Sequence, residues 1–186
     1  MKAAMVDIET LSTRHDAAVL SMGLVAFNET EILHSESIRL DMTKLYGHID
    51  PATLKWWDSQ PQAARDYSFG GSTSHEAAAG KFKAFIEQWG KDEVWANSPQ
   101  FDLAILKSWW DYMPTFTHPT FRPGTWPIHY RTHRDCRTMF NEARRLNIKI
   151  DSAWKLDSVA HNPVDDAANQ ARAIIMIRQR LFPAVA

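Results

Sequence analysis

Asp7-Ile8-Glu9 sets two carboxylates two residues apart at the end of an apolar run, residues 3–8. On a β-strand, residues i and i+2 share a face, so Asp7 and Glu9 project together and Ile8 faces the opposite layer. Two acids side by side there repel each other and resist desolvation, a cost that a hard divalent cation relieves because Mg²⁺ and Mn²⁺ prefer carboxylate oxygen. A strand that simply runs out into solvent at Asp7 would carry the same residues. Two further acids sit in matching local patterns. Ser98-Pro99-Gln100-Phe101-Asp102 and Asn162-Pro163-Val164-Asp165-Asp166 each read as a cap, a proline at N1 and an acid at N4. The helix dipole by itself favours acids in a first turn, so the pattern does not require a metal. His161 sharpens the second case. As the N′ residue it approaches N4 across the helix start, where an apolar pair usually packs; here the pair is His161 and Asp166. An imidazole beside a carboxylate is a candidate general base for water. Asp165 and Asp166 both lie off the apolar stripe of their helix. The N′–N4 geometry favours Asp166, with Asp165 as a capping acid.

In this order the three motifs, Asp7-Ile8-Glu9-Thr10, Asn97–Asp102, and His161 followed five residues later by Asp166, resemble the DEDDh family of 3′→5′ exonucleases within the ribonuclease-H-like superfamily. Thr53-Leu54-Lys55-Trp56-Trp57, Gln60, Ala63-Ala64-Arg65 and Cys136-Arg137-Thr138 look like the RNase T-like exonucleases common in phages and prophages, a pattern shared by DexA-type and mycobacterial exoribonuclease-type proteins. The resemblance implies an α/β fold with a mixed sheet of about five strands flanked by helices, forming a single exonuclease domain over residues 1–186. It implies that Asp7, Glu9, Asp102 and Asp166 hold two Mg²⁺ or Mn²⁺ ions, that His161 deprotonates the attacking water, and that nucleoside 5′-monophosphates leave single-stranded or 3′-overhanging DNA or RNA. Some relatives act as homodimers, so a dimer is a further expectation. The rival readings are a catalytically silent nucleic-acid-binding module on the same fold, and an internally cutting hydrolase of the superfamily.

An exonuclease must also grip a 3′ end, and aromatic stacking supplies sequence-tolerant affinity of roughly 1–3 kcal/mol per base. Trp56 and Trp57 are adjacent, so one can pack inward while the other faces the cleft. Thr10 and Leu11 directly follow the first motif and, as in the family, would lie beside the terminal nucleotide. Phe101 within the second motif and Arg137 complete the candidate substrate contacts. The segment 129–134, His-Tyr-Arg-Thr-His-Arg, interleaves basic and aromatic residues, with Arg144 and Arg145 downstream as further candidate phosphate contacts.

The elements that must position these groups follow from periodicity. Residues 3–8, 17–27, 31–40 and 92–97 read as strands, and the continuous apolar character of 17–27 suggests a central strand covered on both faces. Short helices are expected over 52–58 and 62–66. A capping box at Thr73–Glu76 opens a helix with Ala78, Phe82, Phe85, Ile86 and Trp89 on one face, closed by Gly90. Helices are expected from Ser98 to about 110, over about 137–146, and from Asn162 to about 181, the last with a stripe at Val164, Ala167, Ala168, Ala171, Ile174 and Ile175. Residues 111–134 read as irregular.

Composition sets outer bounds. The chain has 186 residues, 45% hydrophobic and 23% charged, which suits one globular domain rather than a disordered or fibrous chain. One cysteine, Cys136, rules out an internal disulfide and a Cys-rich zinc site. No apolar run approaches the ~18 residues of a membrane span, and acids at Asp7 and Glu9 argue against a signal peptide, so a cytoplasmic location is expected. The net charge of −1 lacks the basic excess of most nucleic-acid binders. Four acids occupied by two divalent cations would bring the formal sum to −1 + 4 = +3, so affinity would come from metals, stacking and local basic residues.

Overall fold

The computed structural model describes residues 2–149 and 161–182. Among these residues five strands form one mixed sheet in the order β3-β2-β1-β4-β5. They are β1 (Ala3–Thr10), β2 (Val19–Phe27), β3 (Ile32–Arg39), β4 (Glu93–Ala96) and β5 (His133–Asp135). β1–β2 and β2–β3 are antiparallel, whereas β4 and β5 run parallel to β1. The helices are α1 (Pro51–Asp58), α2 (Gln62–Phe69), α3 (His75–Trp89), α4 (Asp102–Phe116), α5 (Cys136–Arg145) and α6 (Pro163–Leu181). This is the expected α/β architecture. β2 is buried at all nine positions, as its apolar run requires, but the middle of the sheet belongs to β1.

The period-two alternation of β1 builds two cores. Ala4, Val6 and Ile8 face α3 and α4, joining Phe82, Ile86, Leu106 and Trp110. Ala3 and Met5 face the other side, where they meet Trp95, Cys136 and the Ala167–Ala171–Ile174 stripe of α6. Asp7 and Glu9 continue this second row. The strand therefore delivers its acids to the layer in which α6 begins. The far end of α6 is tied to β4 by a buried network. Arg178 Nη2 donates to both Glu93 carboxylate oxygens at 2.9 and 2.7 Å, and Trp95 Nε1 donates to Glu93 at 2.8 Å.

Several local expectations are corrected. Ser74, not Thr73, caps α3, accepting from the Ala77 N–H, because Thr73 is used in a bridge to Leu40. Ser98 does not cap α4. Its backbone turns at φ 120°, and Phe101 occupies the N-cap position, so Asp102 sits at N1 rather than N4. α4 also continues through Pro114 to Phe116. Proline removes only one backbone donor, and the last turn is held by buried Met113 and by Phe116 stacked on Tyr46 at 3.8 Å. β5 starts at the end of the segment read as irregular and runs one residue past it, since three residues are too few to show a period.

Gly23 decides how closely α6 approaches the sheet. It pairs with Asp7 in the β1–β2 register, and a Cβ there would lie 2.1 Å from the Pro163 carbonyl carbon and 2.4 Å from the Val164 nitrogen. Backbone cannot yield as a flexible side chain does, so the first turn of α6 requires glycine at this position. Gly23→Ala is expected to destabilise the protein by about 2–3 kcal/mol in urea unfolding. Wild-type stability in that variant would mean that α6 is not seated on β2 as described.

Candidate active site

A cavity of about 380 Å³ opens at the end of β1 where Asp7 and Glu9 emerge. Four elements supply its titratable lining: Asp7 and Glu9 from β1, Asp102 from the start of α4, Arg137 from α5, and His161 and Asp166 from the start of α6. All five residues expected to carry the chemistry thus face one space. Within it, Glu9, His161 and Asp166 each offer a ligand atom, and these atoms lie within 4.8 Å of one another. Among the described residues they form the one cluster with metal-ligand spacing. Asp7 and Asp102 line the same cavity outside that trio.

Burying these acids together moves their titration. Desolvation is the main cause throughout. Glu9, 9% exposed, is pushed from 4.5 to about 9 by burial and then by Asp7, Asp166 and Asp102. Asp7 rises well above its ordinary value through burial and the charge of Asp102, against the hydrogen bond that Gln170 Nε2 donates to it at 2.8 Å. Asp102, 4% exposed, rises from 3.8 to about 7 through burial, opposed by its own and the Ile8 backbone N–H and by the Arg137 charge. Carboxylate oxygens with one imidazole and no thiolate are a donor set that could hold a hard divalent cation, and such a charge would relieve this repulsion.

The backbone at both loop-borne motifs is strained. Ser98 at φ 120° and His161 at φ 63° adopt conformations that favour glycine, and such strain concentrates at functional sites. The turn at Ser98 lets its carbonyl accept from the Phe101 and Asp102 N–H groups at 2.8 and 3.1 Å, which brings Asn97, Phe101 and Asp102 to the cavity. The Asn162 side chain caps α6 through the Val164 N–H, so His161 and Asp166 do stand at N′ and N4. His161 Nδ1 is 3.9 Å from Glu9 Oε1, and its ring meets the edge of Trp56 at 4.8 Å between centroids.

The expected substrate contacts divide. Trp56 is 42% exposed, while Trp57 is 1% exposed and donates through Nε1 to the Thr10 carbonyl at 3.0 Å. Thr10, Trp56 and Phe101 line a second, mostly apolar groove of about 440 Å³, which shares Ile8, Glu9 and Phe101 with the first cavity. Leu11 lines neither space. It is 2% exposed and packs with Ala18, Leu20, Trp57 and Ala64. The segment 129–134 also lies away from the cavity. His133 pairs with Val94 and Asp135 with Ala96, so β5 approaches the site only at its end, and Arg134 is engaged with Glu93 at 3.3 Å. Sequence reading missed Gly23, Phe140, Asn169 and Gln170, and gave Asn97 only as part of the second motif. A lone glycine inside a strand marks close backbone approach, and Asn169 and Gln170 follow Asp166 at i+3 and i+4 on the same helix face.

The comparisons with known proteins agree with this architecture. Residues 2–177 match the family described as the 3′-5′ exoribonuclease Rv2179c-like domain. No curated relative matches. Among solved structures, Exonuclease X in complex with 5′-overhanging duplex DNA is 13% identical, with a TM-score of 0.51 over 96% of this chain and 92% of that one. The nuclease domain of 3′hExo, a DEDDh family member bound to rAMP, is 12% identical, with a TM-score of 0.54 over 96% and 92%. At these identities the two likenesses establish the fold. Among the described residues no helix is long and apolar enough to cross a membrane.

The raised acids make stability depend on both pH and cations. Glu9 and Asp102 titrate at about 9 and about 7 when folded, against 4.5 and 3.8 otherwise. The folded chain therefore holds protons that the unfolded chain releases. This contribution is fully present below about pH 4, and without cations it is lost as pH rises through the folded values. A cation at about 100 times its Kd restores about 2.7 kcal/mol. Thermal scans at pH 8 should show Mn²⁺ or Mg²⁺ raising Tm by about 5–10 °C over EDTA, with the gain shrinking towards pH 5. A Tm indifferent to cations at pH 8 would remove the metal reading.

Proposed function

The chain belongs to the Rv2179c-like family of 3′-5′ exoribonuclease domains, and from that premise we propose that it is a divalent-metal-dependent 3′→5′ exonuclease releasing nucleoside 5′-monophosphates from single-stranded or 3′-overhanging nucleic acid. The observation that carries this reading is the meeting of Glu9, His161 and Asp166 within 4.8 Å in a cavity that Asp7 and Asp102 also line. The family's description favours RNA as the substrate over DNA. The whole chain acts as one exonuclease domain.

Asp7, Glu9, Asp102 and Asp166 would hold two Mg²⁺ or Mn²⁺ ions. Bound there, the cations supply Lewis-acid polarisation of the phosphate and neutralise charge in the transition state. The chain's own groups do the rest. His161 accepts the proton of the attacking water, and its imidazole is oriented by the edge of Trp56. The water oxygen bonds to phosphorus as the bond from phosphorus to the O3′ of the preceding nucleotide breaks. Trp56, Thr10 and Phe101 border the groove that takes the terminal nucleoside, while Leu11 and Trp57 support that wall from the core. Gln170 orients Asp7 through its 2.8 Å hydrogen bond, and Arg137 offsets negative charge beside Asp102.

A 5′-labelled single-stranded RNA with Mn²⁺ or Mg²⁺ should give a ladder shortening from the 3′ end, with circular RNA untouched. A DNA strand of the same sequence tests the sugar preference. Asp7→Asn should abolish detectable release. His161→Asn tolerates the positive φ and removes the base, so kcat should fall about 10²–10⁴-fold while the cation-induced gain in Tm persists. Loss of that gain would make His161 a metal ligand instead. Wild-type activity in the Asp7 variant would refute the proposed function.

A further inference from the structure

The cavity and the neighbouring groove account for the terminal nucleotide and its phosphate but leave the rest of the strand without a path. Two guanidinium groups on α5, of which Arg137 lines the cavity, bear on that path. Arg137 lines the cavity and is exposed, and it makes no ion pair among the described residues. It begins α5, whose inner face, Cys136, Met139, Phe140 and Ala143, is spent on packing or burial. Helical spacing places Asn141 at i+4 and Arg144 at i+7 in line with Arg137 on the outer face. Both are exposed. Arg144 Nη1 donates to Asn141 Oδ1 at 3.1 Å, which leans its guanidinium back along the helix towards the cavity. Arg145, one position on, points elsewhere and is paired with Glu142 at 3.0 Å.

The α5 edge also lies on the correct side of the acids. The groove bordered by Trp56 and Thr10 meets the cavity at Ile8, Glu9 and Phe101, and among the residues that line the cavity but not the groove Arg137 carries the one guanidinium. A strand whose last nucleoside fills the groove and whose phosphate lies over the carboxylates would meet Arg137 where the cavity borders α5. The N-terminus of α5 is not itself the attraction, because Asp135 already accepts from the Arg137 and Thr138 N–H groups. Arg137 and Arg144 are separated by on the order of 10 Å along the axis, which carries positive charge beyond the scissile phosphate.

We propose that the Arg137–Asn141–Arg144 face of α5 is the track for the single strand immediately 5′ of the scissile phosphate, contacting its backbone and not its bases. Phosphate contact carries no sequence information, so the track is indifferent to sequence. It rests on the exonuclease reading above.

The test compares Arg144→Gln, with Arg145→Gln as control, on two substrates. One is a fluorescent single-stranded RNA of about a dozen nucleotides. The other is the p-nitrophenyl ester of thymidine 5′-monophosphate, which has no upstream phosphate. Arg144→Gln should raise KM for the strand about fivefold and lower its salt slope by about 0.7, with kcat unchanged and the ester cleaved at the wild-type rate. Arg145→Gln should match wild type on both. Equal KM and salt slope for Arg144→Gln and wild type overturn the track, as does an equal loss on the ester. If the wild type hydrolyses neither substrate, the exonuclease reading fails. Fluorescence anisotropy of the same strand then decides the strand contact by itself, with weaker binding by Arg144→Gln upholding the α5 face as a backbone contact and unchanged binding rejecting it.

Discussion

Four carboxylates crowd around the end of one central strand, and their mutual repulsion is the constraint that the rest of the structure answers. At an effective dielectric of about 20, two like charges some 5 Å apart oppose each other by about 3 kcal/mol. No single contact offsets that for the set. Gln170 donates to Asp7, the Ile8 N–H and Arg137 favour the charged form of Asp102, and the remaining cost appears as acids that keep their protons near neutrality. The arrangement persists because α6 is held from both ends. Its first turn seats on Gly23 beside Asp7, and its last turns are fastened by Arg178 to Glu93. Packing free energy from the apolar stripe of α6 is thereby converted into a fixed position for Asp166.

Much of this was legible in the sequence because periodicity carries it. The alternation of β1 aims Asp7 and Glu9 at one face, and the stripe of α6 with its Asn162-Pro163 start places His161 and Asp166 as found. The residues of the second motif reach the cavity, but on a different backbone from the one their pattern suggests. Ser98 looks like a cap by composition, yet it turns at φ 120° and leaves Asp102 at N1. A propensity describes the unstrained choice, so the reading fails where tertiary contacts enforce a strained one. The basic segment around Tyr130 lies off the cavity for a different reason. Charge pattern says which residues are positive but not which end of a three-residue strand meets the cavity, and β5 brings only its last residue near. Leu11 shows the same gap. Adjacency to Thr10 in sequence did not stop the chain from turning it into the core.

The adjacent tryptophans divide support from contact. Trp57 is buried and anchors the end of β1 through the Thr10 carbonyl, and Trp56, fixed by the same helix turn, meets the His161 ring at its edge. One helix thus supports the strand that bears the acids and the wall of the groove beside them. On the proposed reading, this couples the grip on the terminal nucleoside to the orientation of the base. Displacing α1 would disturb both together.

The net charge of −1 conceals a strong internal separation. Negative charge is concentrated in the cavity, while Arg137 holds positive charge at its rim and Arg144 carries more along the exposed face of α5. Without cations the cavity repels a phosphate, and the basic edge attracts one only to the rim. Cations in the acid cluster would reverse the sign of the cavity and make its field continuous with that of α5. Cation and strand would then favour each other's binding, and linkage makes that coupling reciprocal. A near-neutral chain can hold nucleic acid on these terms, with the attraction confined to an end that reaches the acids and weak along an uninterrupted duplex.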